Sequence, residues 1–501
     1  MIVATISRRL SRSTTSVLVA VSAAHSLLIT HPAPVRAAFS TIGMPEPPFM
    51  YRSHNAPHLD LSDLGSIIGA ADSKRQDAYN VSRAIQVSMI HVRTAMESGG
   101  PSENNAEADM ERVRDLLMSQ NDTHCAPRTP RVANMSQRFE DLCRLMAFHQ
   151  FLKTGGWLPP AGCVAVGATD EEYLTGACMG LCRDLERYAM GRATARDVAS
   201  VQAARDLVNE ILDYLMSFDF RNGPLRRKYD GTKYALKTLE TLLYELSVTG
   251  ADLKESDEMD TKDDGEPNAK RRKGIDTARP QEALDAIRAR MEHRDELREK
   301  LIKKCRDSQK AAKQAIYALH RGDSEKSSKL IQQCEESIAK ELLPIVEEEP
   351  PLRSGSFANV LEEYAEAKLF HVWLLGKDDE DKDSAKGTLL LPGDFSVRLE
   401  PEEYLGGLCD LTGEIGRYAV QRGTLRDYDG VRTCLEANSA VFLAIETLER
   451  TPSGINKKMD QLRRSVEKIE RMTYEMSLSK ATGLNINSEV SDSIEKADEG
   501  E

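Results

Sequence analysis

Residues 225–247 read LRRKYDGTKYALKTLETLLYELS, and residues 455–477 read INKKMDQLRRSVEKIERMTYEMS. At a shift of 230 positions, Lys228, Asp230, Glu240, Tyr244, Glu245 and Ser247 fall on Lys458, Asp460, Glu470, Tyr474, Glu475 and Ser477. Working outward, the same shift lays LCRDLERYA (181–189) on LTGEIGRYA (411–419). The EEYL motifs at 171 and 402 are instead 231 apart, as one residue inserted between the two motifs would produce. The chain therefore carries two versions of one domain. Where the versions differ in chemistry, one can work while its sister only binds.

Both versions read as helix. Gly and Pro cluster at 153–168 and 387–393, and between these breakers apolar residues recur at i, i+3, i+4 and i+7. Over 281–319, Leu284, Ile287, Met291, Leu297, Leu301 and Ile316 mark one stripe of a long amphipathic helix. No strand-like alternation stands out, so the expected fold is all-α: two tandem bundles of long amphipathic helices. Residues 251–280 mix blocks of acid and base with almost no large apolar side chain, and read as a charged linker. Residues 376–398 read as a polar loop and 485–501 as an acidic disordered tail. The expected division is an extension over 1–43, a first domain over 44–250, the linker, a second domain over 281–484, and the tail.

A chain of 501 residues has room for two to four domains. Its net charge of −13 argues against nucleic-acid binding by overall charge, so any such partner must be held by a local basic patch. Nine irregularly spaced cysteines fit neither a disulfide framework nor a zinc site, which makes a reducing compartment the default. Cys178 and Cys182 share a helix face, but no second ligand pair follows. The first 43 residues hold no Asp or Glu, carry Arg8, Arg9, Arg12 and Arg36, and are rich in Ser and Thr. That is the composition of a mitochondrial or plastid transit peptide; a plain extension ahead of a start at Met44 is the alternative. The apolar run Val17–Ile29 is too short and interrupted to span a bilayer, and no membrane association is expected. Lys270, Arg271, Arg272 and Lys273 read as a nuclear address or as a solvated charge cluster.

The residues that invite chemistry lie in the second version. Glu363, Glu366, Phe370 and Trp373 are spaced i, i+3, i+7, i+10, which puts two carboxylates on a stripe with two large aromatics that should face inward. A charge there costs several kcal/mol unless it is paired or holds a metal. Asp410 and Glu414 form an i, i+4 pair flanked by Gly406, Gly407 and Gly413, glycines that would let a helix or an RNA backbone approach. Carboxylates from facing helices are how bundles build metal sites, and hard oxygen ligands suit Mg²⁺ or Mn²⁺, which activates water and stabilises charge on a phosphate. A solvated face or a set of structural salt bridges is the bland reading of the same acids. His149, His320 and His371 have no evident Cys or Ser partner and read as packing histidines. The Gly-rich stretches TGGWLPPAG and YLGGL lack the Lys and Ser/Thr of a phosphate loop.

The run RNGPLRRKYDGTKYALKTLETLLYELSVTG (221–250), with YLTG at 173–176, resembles the C-terminal part of translin. In the second version, YLGGLCDLTGEIGRYA (404–419), LEEYAEAKLF (361–370) and AIYALHR (315–321) resemble translin-associated factor X. Together the matches cover about 400 residues in order, so the chain looks like translin and its partner fused head to tail, two translin-type bundles in one polypeptide. The resemblance implies a magnesium-dependent ribonuclease site at Glu363, Glu366 and Asp410, with Glu414 as the family's fourth acid, either ligand or support. It implies an enzyme that cuts single-stranded RNA, as in small-RNA strand removal or transfer-RNA precursor processing. In the first version Asp141 aligns with Glu363, Arg144 with Glu366, and Gly180 or Met179 with Asp410, so the acid cluster is not rebuilt there. Arg138 and Arg144 instead match a basic segment that translin uses for nucleic acid, and Arg227, Lys228 and Lys233 add positive charge. The family further implies a closed shell of eight such domains, here four fused chains. It also implies a place in cytoplasm and nucleus, and the alternative of a non-catalytic oligomer that binds single-stranded RNA or DNA.

Overall fold

The computed structural model describes residues 59–98, 103–120, 131–132, 134–221, 224–250, 281–376 and 387–481. The transit reading of residues 1–43, the basic run 270–273 and the acidic tail 485–501 lie outside the described residues. Among those described there is no strand, and no helix is long and apolar enough to cross a membrane.

The first copy comprises α1 (Ser62–Ser98), α2 (Glu103–Ser119), α3 (Met135–Thr154), the short α4 (Pro160–Val164), α5 (Asp170–Tyr173) continuing into α6 (Leu181–Thr194), α7 (Val198–Leu215) and α8 (Pro224–Val248). The second comprises α9 (Gln281–His320), α10 (Ser324–Ser337), the short α11 (Leu343–Glu348), α12 (Ser356–Leu375), α13 (Pro401–Thr424), α14 (Tyr428–Glu446) and α15 (Ser453–Ala481). By order, α3 answers to α12, α5 with α6 to α13, α7 to α14, and α8 to α15.

The copies share their fastenings as well as their helices. The hydroxyl of Tyr173 donates to the Leu158 carbonyl at 2.9 Å, and that of Tyr404 to the Leu390 carbonyl at 2.8 Å. Arg131 pairs with buried Glu172 at 2.6 Å, and Arg353 with buried Glu403 at 2.7 Å. Each of these glutamates closes a capping box at the start of its helix, so one side chain satisfies a free backbone N–H and an arginine at once. Arg196 and Arg426 take φ of 58° and 60° in the tight turns before α7 and α14, whose N-caps are Asp197 and Asp427. A strained backbone repeated at both places marks a turn kept by the duplication.

Between the EEYL motif and the helix that follows, the first copy has one residue more than the second, and the structure shows where it went. Between α5 and α6, Leu174–Gly180 winds as a π-helix, whereas α13 is α-helical throughout. A π segment absorbs one extra residue without breaking the helix. This accounts for the shift of 231 before it and 230 after it, and it falls opposite Asp410.

One sequence expectation needs correction. The stretch 376–398 does not behave as a polar loop over its second part: Leu389, Leu390, Phe395 and Val397 are buried in the second core. Alternating polar residues such as Asp394, Ser396 and Arg398 concealed this from a composition reading.

Candidate functional site

Two glycines let α12 and α13 cross closely. A Cβ on Gly407 would stand 2.7 Å from the Ala365 Cβ and 2.8 Å from the Glu362 carbonyl oxygen, and one on Gly406 would stand 2.6 Å from the Glu362 Cδ. Backbone cannot yield at such distances, so position 407 requires glycine. Gly413, expected from sequence to admit a neighbour, faces open space.

The crossing sets Glu362, Glu363 and Glu366 of α12 against Asp410 and Glu414 of α13. Glu366 is 9% exposed, and its carboxylate has no hydrogen bond or ion pair among the described residues. Burial pushes its carboxyl up to about 8; the charges of Asp410, Glu363 and Glu414 add to the rise, and Lys458 opposes it. Every other acid of the cluster has a cation. Lys313 Nζ lies 2.9 Å from Glu363, Lys458 donates to Asp410 at 2.6 Å and also to Glu362, and His320 Nε2 lies 2.5 Å from Glu414. The His320 bond, with Arg417 at 3.6 Å, holds the Glu414 carboxyl below its usual range. Burial raises that of Glu362 although Lys458 pulls it down. For Lys458 burial acts downward, and its bonds to Asp410 and Glu362 outweigh it, so the ammonium is raised.

Whether these residues suit Mg²⁺ or Mn²⁺ turns on donor type and charge. The donors are all carboxylate oxygen, as a hard cation prefers. One of them is buried, unpaired and repelled by three like charges, a penalty that a cation would relieve. The positions are less complete than the chemistry: among the described residues no three His, Cys, Asp or Glu side chains converge closely enough to hold a metal ion. Cys178 and Cys182 are buried and unpaired.

The first copy shows what remains when the cluster is dismantled. Lys228 bonds Glu140 at 2.5 Å, the counterpart of Lys458 with Glu362, so this ion pair belongs to the shared scaffold. Arg144 sits where Glu366 does and donates to both oxygens of buried Asp184, at 2.6 and 2.5 Å. Asp184 occupies the place of Glu414 and also pairs with Arg93, from the first helix as His320 is. Burial beside Arg93 pushes the Arg144 guanidinium down to about 10. At Gly180, opposite Asp410, a Cβ would meet the Arg144 Cδ at 3.0 Å. The space left is a cavity of about 220 Å³ lined by Gln137, Glu140, Asp141, Arg144, Arg183 and Lys228 among others.

The nucleic-acid candidates therefore divide. Arg138 is buried with Asp141 at 3.2 Å, Arg144 is committed to Asp184, and Lys228 to Glu140. Arg227 and Lys233 are exposed on α8; Arg227 has no acidic partner among the described residues, and Lys233 lies 3.8 Å from Asp230 and over the Tyr229 ring at 4.9 Å. Three neighbours of the acids escaped the sequence reading. His320, taken there for a packing residue, backs Glu414, while Lys313 and Lys458 hold Glu363 and Asp410. Only Lys458 left a signal, as one of the matched positions of the repeat.

Fold and site define a class: a duplicated all-helical protein in which one copy keeps a buried cluster of carboxylates and the other has closed the same place with an arginine–aspartate bridge. The chain belongs to the translin family, whose model matches residues 80–250 and 296–480. It is similar to the translin-associated protein X homolog of Schizosaccharomyces pombe, 28% identical over 209 residues that span 38% of this chain and 86% of that protein. It is also similar to translin of Gallus gallus, 34% identical over 80 residues that span 16% of this chain and 34% of that protein. Relatives of both kinds fit the fusion read from the sequence. Among solved structures, one described as a crystal structure of AfC3PO covers 40% of this chain and 99% of its own, with 21% identity and a TM-score of 0.35.

Proposed function

We propose that the chain is a divalent-metal-dependent endoribonuclease for single-stranded RNA, with its chemistry confined to the second copy and with the first copy binding nucleic acid and building an assembly of four chains. The observation that carries this reading is Glu366, a carboxylate held without a partner among three other acids, in a place where the sister copy has placed an arginine. With its value raised to about 8 this acid is largely protonated near neutral pH, and a bound cation would favour its ionised form. Kinship with translin-associated protein X favours the same reading.

In this reading Glu363, Glu366 and Asp410 would hold Mg²⁺ or Mn²⁺. Glu414 supports them, oriented by His320. When bound, such a cation neutralises charge on a phosphodiester and acidifies water. The residues of the chain do the rest. Lys313 and Lys458 pair with Glu363 and Asp410, and these acids would have to exchange their lysines for the cation to hold it. Both lysines then remain beside the site as positive charges able to face a phosphate. Arg227 and Lys233 supply the exposed positive charge that draws the strand to the first copy. Small-RNA strand removal and transfer-RNA precursor processing are the substrate classes in keeping with the family, whether in an organelle or in cytoplasm and nucleus.

Purified protein is incubated with labelled single-stranded RNA, with Mg²⁺ or with chelator, beside the variant Glu363→Ala/Glu366→Ala/Asp410→Asn. Cleavage that needs both metal and acids is the expected result. RNA bound tightly but left intact by wild type and variant alike would replace the enzyme with a non-catalytic binder of single-stranded RNA or DNA. One observation favours that second reading: the lysine pairings of Glu363 and Asp410 leave no ready-made ligand set.

A further inference from the structure

α9 meets the acid cluster at two points, and between them Tyr317 stands exposed. Lys313 reaches Glu363 at 2.9 Å, and further along the helix His320 reaches Glu414 at 2.5 Å. Tyr317 comes four residues after Lys313 and three before His320, so it shares their helix face, about 6 Å along the axis from the first and about 4.5 Å from the second. It is 56% exposed, whereas His320 packs on the Phe370 ring with 4.9 Å between centroids.

Arg321 follows one turn after Tyr317. Its guanidinium lies 5.6 Å from the Tyr317 ring centroid and donates to the Tyr317 hydroxyl at 3.3 Å, and it has no acidic partner among the described residues. Arg417 of α13 faces the same acid as His320, 3.6 Å from Glu414, with its side chain 62% exposed. A lone exposed tyrosine is ordinary on a protein surface. This one carries an arginine on its ring and has a partner of the acid cluster one turn away in either direction. The sister copy lacks the arrangement. With His320 answering to Arg93, the same shift of 227 lays Lys313, Tyr317 and Arg321 on Gln86, Ile90 and Thr94. Ring and cations are kept only beside the acids.

We propose that Tyr317 is a stacking platform for one base of a single-stranded RNA beside the acid cluster, with Arg321 and Arg417 holding the phosphates that flank that base. This role rests on the function proposed above, in which the chain takes single-stranded RNA. A strand brought to these acids is repelled through its phosphates, and Lys313 and Lys458 are already committed to Glu363, Asp410 and Glu362. A ring face attracts a base without drawing on charge, and because every base has a π-face it does so without demanding a sequence. The arginines add attraction where the strand leaves the acids.

Binding is measured on the full chain carrying Glu363→Ala/Glu366→Ala/Asp410→Asn, which lacks the proposed ligands, with a labelled single strand whose uracils are replaced by iodouracil. Irradiation of the complex should join the RNA to the peptide that holds Tyr317. Tyr317→Ala in that background should weaken binding by about five- to a hundredfold, the range of one lost base stack, while Tyr317→Phe, which keeps the ring, stays near its parent. Arg321→Ala/Arg417→Ala should lower the slope of log affinity against log salt by about 0.7 for each phosphate released, and Tyr317→Ala should leave that slope unchanged. Tyr317→Ala that binds as tightly as its parent, or crosslinks confined to the first copy, would overturn the platform. So would a smaller assembly for Tyr317→Ala on gel filtration, since another copy of the chain would then cover the ring. Cleavage is read separately on the wild type. RNA crosslinked at Tyr317 but never cut with Mg²⁺ removes the nuclease and keeps the platform, whereas RNA cut by wild type and by Tyr317→Ala with the same KM removes the platform alone.

Discussion

Replacing Glu366 by Gln should stabilise this protein, and more so as the pH rises. The Glu366 carboxyl ionises near 4.5 in an unfolded chain and is pushed up to about 8 when folded. The folded state therefore binds more protons between these values, and stability falls as pH rises from 4.5 through 8; above 8 the whole penalty is present, and below 4.5 none. At about 1.4 kcal/mol per pKa unit the penalty approaches 5 kcal/mol on the ionised form. A glutamine avoids it but brings an amide that must find partners at a cost of about 1–3 kcal/mol, leaving a gain of roughly 2–4 kcal/mol at pH 9. For a domain of this size that is on the order of 5–10 °C in melting temperature at pH 9. At pH 5 the penalty removed is only about 1 kcal/mol, so the advantage should vanish or reverse. Differential scanning calorimetry of both proteins at pH 5, 7 and 9 reads the effect directly. Adding 10 mM Mg²⁺ at pH 9 should then raise the melting temperature of wild type and leave the variant unmoved. A variant no more stable than wild type at pH 9, or a gain that ignores pH, would refute the reasoning that Glu366 is a repelled, unpaired carboxylate.

Gly407→Ala should cost about 1–3 kcal/mol in urea unfolding, because its Cβ meets backbone of α12 at 2.8 and 2.9 Å, and should weaken cleavage further by prising α13 from α12. Arg144→Glu should destabilise the first copy by roughly 3–5 kcal/mol, since buried Asp184 would face an acid instead of a bidentate partner, and it should confer no metal-dependent cleavage on that copy because Gly180 supplies no carboxylate; a melting curve and an RNA assay on a catalytically dead background check both. Glu414→Gln should flatten the acid limb of the stability curve: the lowered folded carboxyl contributes stability above about 4.5 that is lost as pH falls through its folded value, so wild type and variant should converge as the pH is taken below that value. Lys458→Gln should tighten Mg²⁺ binding by isothermal titration calorimetry, as Asp410 is then no longer neutralised by its own lysine.

The duplication, the helical class and the acids of the second copy were all legible in the sequence, because each is written in local spacing. The i, i+3 step from Glu363 to Glu366 and the i, i+4 step from Asp410 to Glu414 fix a helix face without knowledge of the partner helix. What faces that stripe was not legible. His320, Lys313 and Lys458 reach the acids from residues 94, 50 and 48 positions away, and no periodicity encodes such a meeting. For the same reason the buried pairing of Arg138 and Arg144 was hidden: an arginine on an amphipathic helix reads alike whether it meets a phosphate or an aspartate.

The inserted residue links these levels. A π segment of seven residues, Leu174–Gly180, lies where the first copy would otherwise carry the counterpart of Asp410. Inserting one residue into a helix turns every side chain beyond it by about 100° relative to those before it unless the backbone widens locally. The π winding restores the face after the insertion, which is why Asp184 still meets α3 as Glu414 meets α12 and why the shared turn at Arg196 keeps its strain. Within the segment the residues nearest the place of Asp410 are Met179 and Gly180, and neither carries a carboxylate. With no acid opposite Asp410, a glutamate at position 144 would face buried Asp184 and be repelled by it, whereas Arg144 forms a bidentate bridge with it. The same place in the fold is thus a satisfied arginine–aspartate bridge in the first copy and a cluster with one unpaired, buried acid in the second.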